Sequence, residues 1–116
     1  MKKIFHLSTC NTCQRIIGEL DGGKGFELQD IKSKHISAKE LDWLWEQAGS
    51  YEALFNRRAM KYRSLGLNEQ ELSEADYRRL ILEEYTFLKR PVIIIGEEAF
   101  IGNSKKTVAA AIAKLG

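Results

Sequence analysis

The chain reads as an α/β protein: a four-stranded mixed sheet carrying a helical insertion. Three observations predict it. The first 31 residues run strand, helix, strand. The stretch from roughly Ser37 to Leu88 carries mainly helical patterns. The remainder, opened by the only proline, Pro91, runs strand, strand, helix.

Lys3 to Leu7 forms the first predicted strand, ending at Ser8-Thr9. Cys13, Ile16, Ile17 and Leu20 then fall at i, i+3, i+4 and i+7, the apolar stripe of a helix. Asp21-Gly22-Gly23-Lys24-Gly25 stops it. Phe26 to Ile31 supplies a second strand, parallel to the first across a right-handed crossover. Ser37-Ala38-Lys39-Glu40 has the capping-box form and opens another helix. Leu41, Leu44, Trp45 and Ala48 line its inner face, Trp43 lies on the flank, and Gly49 closes it. Tyr51 to Phe55 leads into Asn56-Arg57-Arg58. Asn68 to Leu72 reads as a short helix. The next places Tyr77, Leu80, Ile81, Glu84 and Leu88 at helical spacing, and the two could be one helix with a break.

Val92-Ile93-Ile94-Ile95 is a run of four β-branched residues, the best central strand in the chain. Gly96-Glu97-Glu98 turns it into Ala99-Phe100-Ile101 as an antiparallel hairpin. Gly102-Asn103-Ser104 leads into a closing helix with Val108, Ala111, Ile112 and Leu115 facing inward. Nothing repeats and no stretch reads as a linker. Residues 1–116 are expected to form one domain with its insertion at about 37–88.

Composition narrows the function classes. With 44% apolar and 29% charged residues, the chain is an ordinary soluble domain. Its net charge of +2, from 18 basic and 16 acidic residues, argues against direct nucleic-acid or membrane binding. No apolar run approaches the ~20 residues that span a bilayer. The apolar stretch after Met1-Lys2-Lys3 is short and broken by His6 and Ser8, so no signal peptide is expected. Two cysteines do not make a disulfide-stapled scaffold, which points to the cytoplasm.

Those cysteines are the main chemical signal. Cys10-Asn11-Thr12-Cys13 sits between the first strand and the first helix. Amide groups of a helix's first turn carry a partial positive charge, about half an elementary unit, that favours a thiolate held there. Residues at i and i+3 have Cβ atoms about 5–6 Å apart, so a disulfide needs only modest adjustment. Cys10 at the exposed end would attack, and Cys13, one turn in, would resolve or stay buried. An inert pair with Cys13 packed in the core is the bland alternative. A zinc half-site would need two more ligands, and only His6 and His35 are available, far apart. No metal is expected. His6, inside a strand, reads as a packed histidine, and His35 as exposed. Arg57, Lys61 and Arg63 read equally well as a solvated basic face.

The strand and helix order matches the thioredoxin-like (glutaredoxin-like) fold, with a thiol at the first helix. In that fold a proline opening the third strand is usually cis and packs beside the thiol. Its missing N–H leaves adjacent backbone free for an extended substrate. This resemblance gives Pro91 a substrate-binding role; a trans proline starting an edge strand is the alternative.

Four segments make the resemblance narrower: Cys10-Asn11-Thr12-Cys13, Leu54-Phe55-Asn56-Arg57-Arg58, Tyr62-Arg63-Ser64-Leu65-Gly66-Leu67 and Leu88-Lys89-Arg90-Pro91-Val92. Over essentially its whole length the chain resembles the arsenate reductase (ArsC)/Spx branch of thioredoxin-fold proteins. The resemblance implies an oxidoreductase in which Cys10 attacks an oxyanion or a disulfide, Cys13 resolves the intermediate, and three arginines surround an oxyanion. Two fall on Arg58 and Arg90, whose planar guanidinium groups match paired oxygens. The third falls on Asn103, which donates a hydrogen bond but brings no charge. Asn11 and Thr12 would line the same site. The implied partners are glutathione with glutaredoxin, or thioredoxin. Glutathione is the expected co-substrate, and no bound cofactor is expected. Cys13 departs from the arsenate reductases, which typically lack it. Spx-type regulators have such a pair as a disulfide switch and bind RNA polymerase, so a redox-sensing regulator is the alternative reading.

Overall fold

The computed structural model describes residues 1–115, which fall into two compact units. One is built from Met1–His35 and the chain from Arg90 onward; the other is Ile36–Lys89.

The first unit contains β1 (Lys2–His6), α1 (Asn11–Glu19), β2 (Glu27–Asp30), β3 (Val92–Ile95), β4 (Glu98–Ile101) and α5 (Lys105–Leu115). The sheet order is β2-β1-β3-β4. β1 and β2 are parallel, while β3 runs antiparallel to both β1 and β4. This is the expected four-stranded mixed sheet. Alternation along β1 and β3 sends Ile4, Ile93 and Ile95 to one face. There they meet Ile16, Ile17 and Leu20 of the α1 segment and Val108 and Ala111 of α5. The turn from α1 to β2 depends on glycine: Gly23 has φ +82°, and a Cβ there would stand 3.1 Å from the Leu28 side chain.

One expectation fails at α5. Val108 and Ala111 are buried, but Ile112 and Leu115 are 43% and 37% exposed. Eleven helical residues span about 16 Å and four-residue strands about 13 Å, so the helix outruns the sheet that would cover its last turn.

The second unit holds α2 (Ala38–Ala48), α3 (Met60–Ser64) and α4 (Glu74–Glu83). Ser37 and Glu40 cap α2 reciprocally, as its sequence predicts, and Gly49 ends it in the left-handed conformation. A second reciprocal cap, Ser73 with Asp76, opens α4. Phe55 packs against Tyr62, Tyr77 and Phe87 with centroids 4.9–5.8 Å away. Backbone bonds from Asn56 to Phe87 and from Lys89 to Leu54 bind the segment before α3 to the end of the unit. Arg78 grips Asp42 through two nitrogens and ties α4 to α2.

Three details of this unit differ from expectation. The predicted helix at 68–72 is a single 3-10 turn, Leu67–Glu69. The long stripe ending at Leu88 breaks at Glu84, whose carboxylate accepts the Thr86 N–H and opens another 3-10 turn, Tyr85–Phe87. The tryptophans exchange roles: Trp43 is half-buried, whereas Trp45 is 42% exposed and stacks on Tyr51. Leu41 and Leu44 centre the buried stripe, and Trp45 falls on its margin.

Candidate functional site

Cys10 stands at the junction of β1 and α1. The chain leaves β1 through a tight turn closed by the Cys10 N–H donating to the Leu7 carbonyl at 2.9 Å. Cys10 takes extended geometry, φ −92° and ψ 109°, as the residue that caps α1. Its own carbonyl accepts from the Gln14 N–H and so starts the helix. The first turn of α1 carries no acidic side chain to oppose an anion there.

The sulfur's surroundings set its charge. Partial burial works against the thiolate. Against that act the Cys13 amide, aimed at the sulfur without completing a cap hydrogen bond, and a hydrogen bond from the Cys13 thiol. The nearby Arg90 charge and an Arg90 hydrogen bond add to them. The sum holds Cys10 below the ordinary thiol value. Cys13 is fully buried at the third helical position. Burial, then its contacts with Cys10, push its thiol up to about 11, despite the Leu7 amide and the Arg90 charge. Both thiols are free. The two cysteines of one motif are thus electrostatically unlike.

Arg90 reaches this place because β3 runs antiparallel to β1. The register Phe5↔Val92 puts the start of β3 beside the end of β1. Arg90 is joined to Pro91 by a cis peptide bond, as the fold resemblance implies, and Pro91 is buried. The Pro91 carbonyl is occupied, accepting from the Gly102 N–H at 3.0 Å. Asn103 follows Gly102, exposed in the turn before α5. Asn11 and Thr12 are the first two residues of α1, exposed and half-buried respectively.

Arg58 belongs to the other unit, in the turn before α3. It is exposed, its N–H donates to the Asn56 side chain, and its guanidinium has no ion-pair partner among the described residues. Its neighbour Arg57 is engaged by Glu52 and the Tyr77 hydroxyl. Lys61 is paired with Glu84. All three residues read as a solvated basic face, Arg57, Lys61 and Arg63, are exposed, and two of them are also paired within the helical unit.

His6 is half-buried, as a packed histidine should be, with its Nδ1 lacking a hydrogen-bond partner. His35 is half-buried rather than exposed. Among the described residues no group of three or more His, Cys, Asp or Glu is placed to hold a metal. Among them, too, no helix is long and apolar enough to cross a membrane. Asp30 and Ser8, which meet next to Cys10, were not legible as a pair; the signal for them is the parallel register of β1 and β2.

A family model described as the ArsC family matches residues 5–111, a span that includes both cysteines and Arg90-Pro91. The chain belongs to the ArsC family. It is 27% identical over 109 residues to an arsenate reductase of Haemophilus influenzae, covering 90% of this chain and 93% of that protein. Among solved structures it superposes on the YFFB protein with a TM-score of 0.82 at 25% identity, over 96% and 98% of the two chains. A possible arsenate reductase from Streptococcus mutans matches with a TM-score of 0.74 at 26% identity, over 90% and 92%. The thioredoxin-like fold of this ArsC-family chain agrees with its sequence resemblance.

Proposed function

We propose that this ArsC-family chain is a thiol-dependent reductase of a tetrahedral oxyanion, with arsenate as the reference substrate. The carrying observation is Cys10 itself: a thiol held below its ordinary titration range, with Arg90 donating to it. In this reading the Cys10 thiolate attacks the central atom, and a hydroxyl of the oxyanion takes up one proton from solvent and leaves as water. Arg90 stabilises the negative charge that builds on the oxyanion. A second guanidinium, which the resemblance assigns to Arg58, is part of this reading. Asn11, Thr12 and Asn103 offer neutral donors, and backbone at Pro91 borders the substrate.

Cys13 then resolves the adduct. Its sulfur attacks Cys10 sulfur as the Cys13 proton passes to an oxygen of the bound oxyanion. The sulfur–sulfur bond forms, the bond from Cys10 sulfur to the central atom breaks, and its electron pair departs with the reduced, protonated oxyanion. Glutathione with glutaredoxin, or thioredoxin, returns the disulfide to two thiols. The same Cys13 favours one other reading, a redox-sensing regulator of the Spx kind in which the Cys10–Cys13 disulfide alters binding to RNA polymerase.

One assay tests the first reading. Arsenate, glutathione, glutaredoxin and glutathione reductase are supplied, and NADPH consumption is followed beside a Cys10→Ser control. Turnover above the control is expected. Equal traces would remove the reductase reading, and polymerase capture lost on thiol oxidation would then favour the regulator.

A further inference from the structure

Asp30 closes β2 on the same level as His6, its partner in the parallel register. From there its Oδ1 accepts two backbone amides, Ser8 N–H at 3.4 Å and Lys32 N–H at 3.2 Å. The Ser8 hydroxyl donates to the same carboxylate. Ser8 is the second residue of the turn that Cys10 closes onto Leu7. A single side chain from β2 therefore grips the turn that delivers Cys10 to the end of α1.

The grip is ionic at neutral pH. The Ser8 hydroxyl first, then the two amides and the neighbouring His6, hold the Asp30 carboxyl below its usual range against slight burial. Each amide contact, at 3.2–3.4 Å, is longer than a strong charge-assisted bond, so the hold comes from three donors converging on one carboxylate. The geometry matters because helix-end stabilisation of an anion falls off within one turn. A Cys10 sulfur that wanders from the cap position loses both the amides of α1 and its contact with Arg90.

We infer that Asp30 is a positioning residue for the Cys10 nucleophile, acting through the Ser8 backbone N–H and hydroxyl to fix the turn that places the sulfur. The inference rests on Cys10 being the activated thiol. It assigns no contact between Asp30 and substrate. Asp30→Asn keeps an oxygen that can accept the Ser8 N–H while losing the charge, so it falls between the native chain and Asp30→Ala.

The test follows alkylation of Cys10 by iodoacetamide against pH in the full chain, with the modified site read by mass spectrometry. Losing the Asp30 charge by itself favours the Cys10 thiolate, so an upward shift reports lost positioning. Asp30→Ala is expected to move the Cys10 midpoint upward and to slow alkylation at pH 7 roughly three- to tenfold, with Asp30→Asn moving it less. A purely structural role would lower the melting temperature and leave the midpoint alone. If Asp30→Ala does not fold, Ser8→Ala removes the hydroxyl, the largest of the groups acting on the Asp30 carboxylate, and a smaller upward shift is expected. A native midpoint below that of a free thiol, unmoved by these variants, would overturn the positioning role alone. A native midpoint at the ordinary thiol value would instead overturn the activated-thiol reading beneath it.

Discussion

Arg90 donates a hydrogen bond to the Cys10 thiol across the start of β3, from a position eighty residues further along the chain. The antiparallel register of β1 and β3 makes this meeting possible. It gives the nucleophile a fixed positive charge in addition to the end of α1.

Removing that charge has a directional consequence. Arg90→Ala should raise the pH midpoint of Cys10 alkylation, because both the charge and its hydrogen bond favour thiolate over thiol. Arg90→Lys should recover part of the effect, since an ammonium restores charge without the planar fork. An unchanged midpoint in the alanine variant would detach Arg90 from the thiol.

Cys13 should behave as the opposite of its neighbour. With its thiol raised to about 11 and its side chain fully buried, it stays protonated and shielded near neutral pH. Limited alkylation of the native chain at pH 7 should therefore label Cys10 first, with a second label appearing only after denaturation. Peptide mass mapping decides this. Equal labelling of both positions in the native chain would contradict the assigned asymmetry.

The site was partly legible in the sequence. Spacing alone places Cys10 at a helix entry and Cys13 one turn inside, because both follow from local geometry. Arg90 became attributable to the site through the family resemblance, since the β1–β3 pairing joins distant segments. The Asp30–Ser8 grip leaves no local trace, as it depends on which residue of β2 lies level with His6. The Ser37–Glu40 cap was legible for the same local reason as the cysteines. Trp45 and Ile112 misled because periodicity gives the width of a stripe but not how far its neighbours extend over it. The 3-10 turns at 67–69 and 85–87 are too short to show a period at all.

Asp42 makes an acid-sensitive tie within the helical unit. Arg78 donates two hydrogen bonds to its carboxylate and the Tyr51 hydroxyl donates a third at 2.6 Å. These partners hold its carboxyl at about 2, against ~3.9 in an unfolded chain. A carboxyl with a depressed folded value stabilises the fold fully above the unfolded value and loses that contribution as pH falls through the folded one. Melting temperatures of Asp42→Asn should thus lie below native values at pH 5 to 7. The two curves should converge between about pH 4 and pH 2. Parallel curves throughout that window would show that the tie carries no linkage.

The core of the sheet unit gives a prediction about stability rather than chemistry. Ile93 is fully buried, pairs with Ile4 across β1 and β3, and packs among residues of α1 and α5. Ile93→Ala removes buried methyl groups from a place where strands on both sides limit collapse, and should cost roughly 2–5 kcal/mol. Ile112→Ala is the matched control. Its side chain is 43% exposed at the overhanging end of α5, so the change should stay within about 0.5 kcal/mol. Urea unfolding separates the two: a large drop in midpoint is expected for Ile93→Ala and almost none for Ile112→Ala. Comparable losses would mean that the last turn of α5 is packed after all, and the boundary drawn for this core would be wrong.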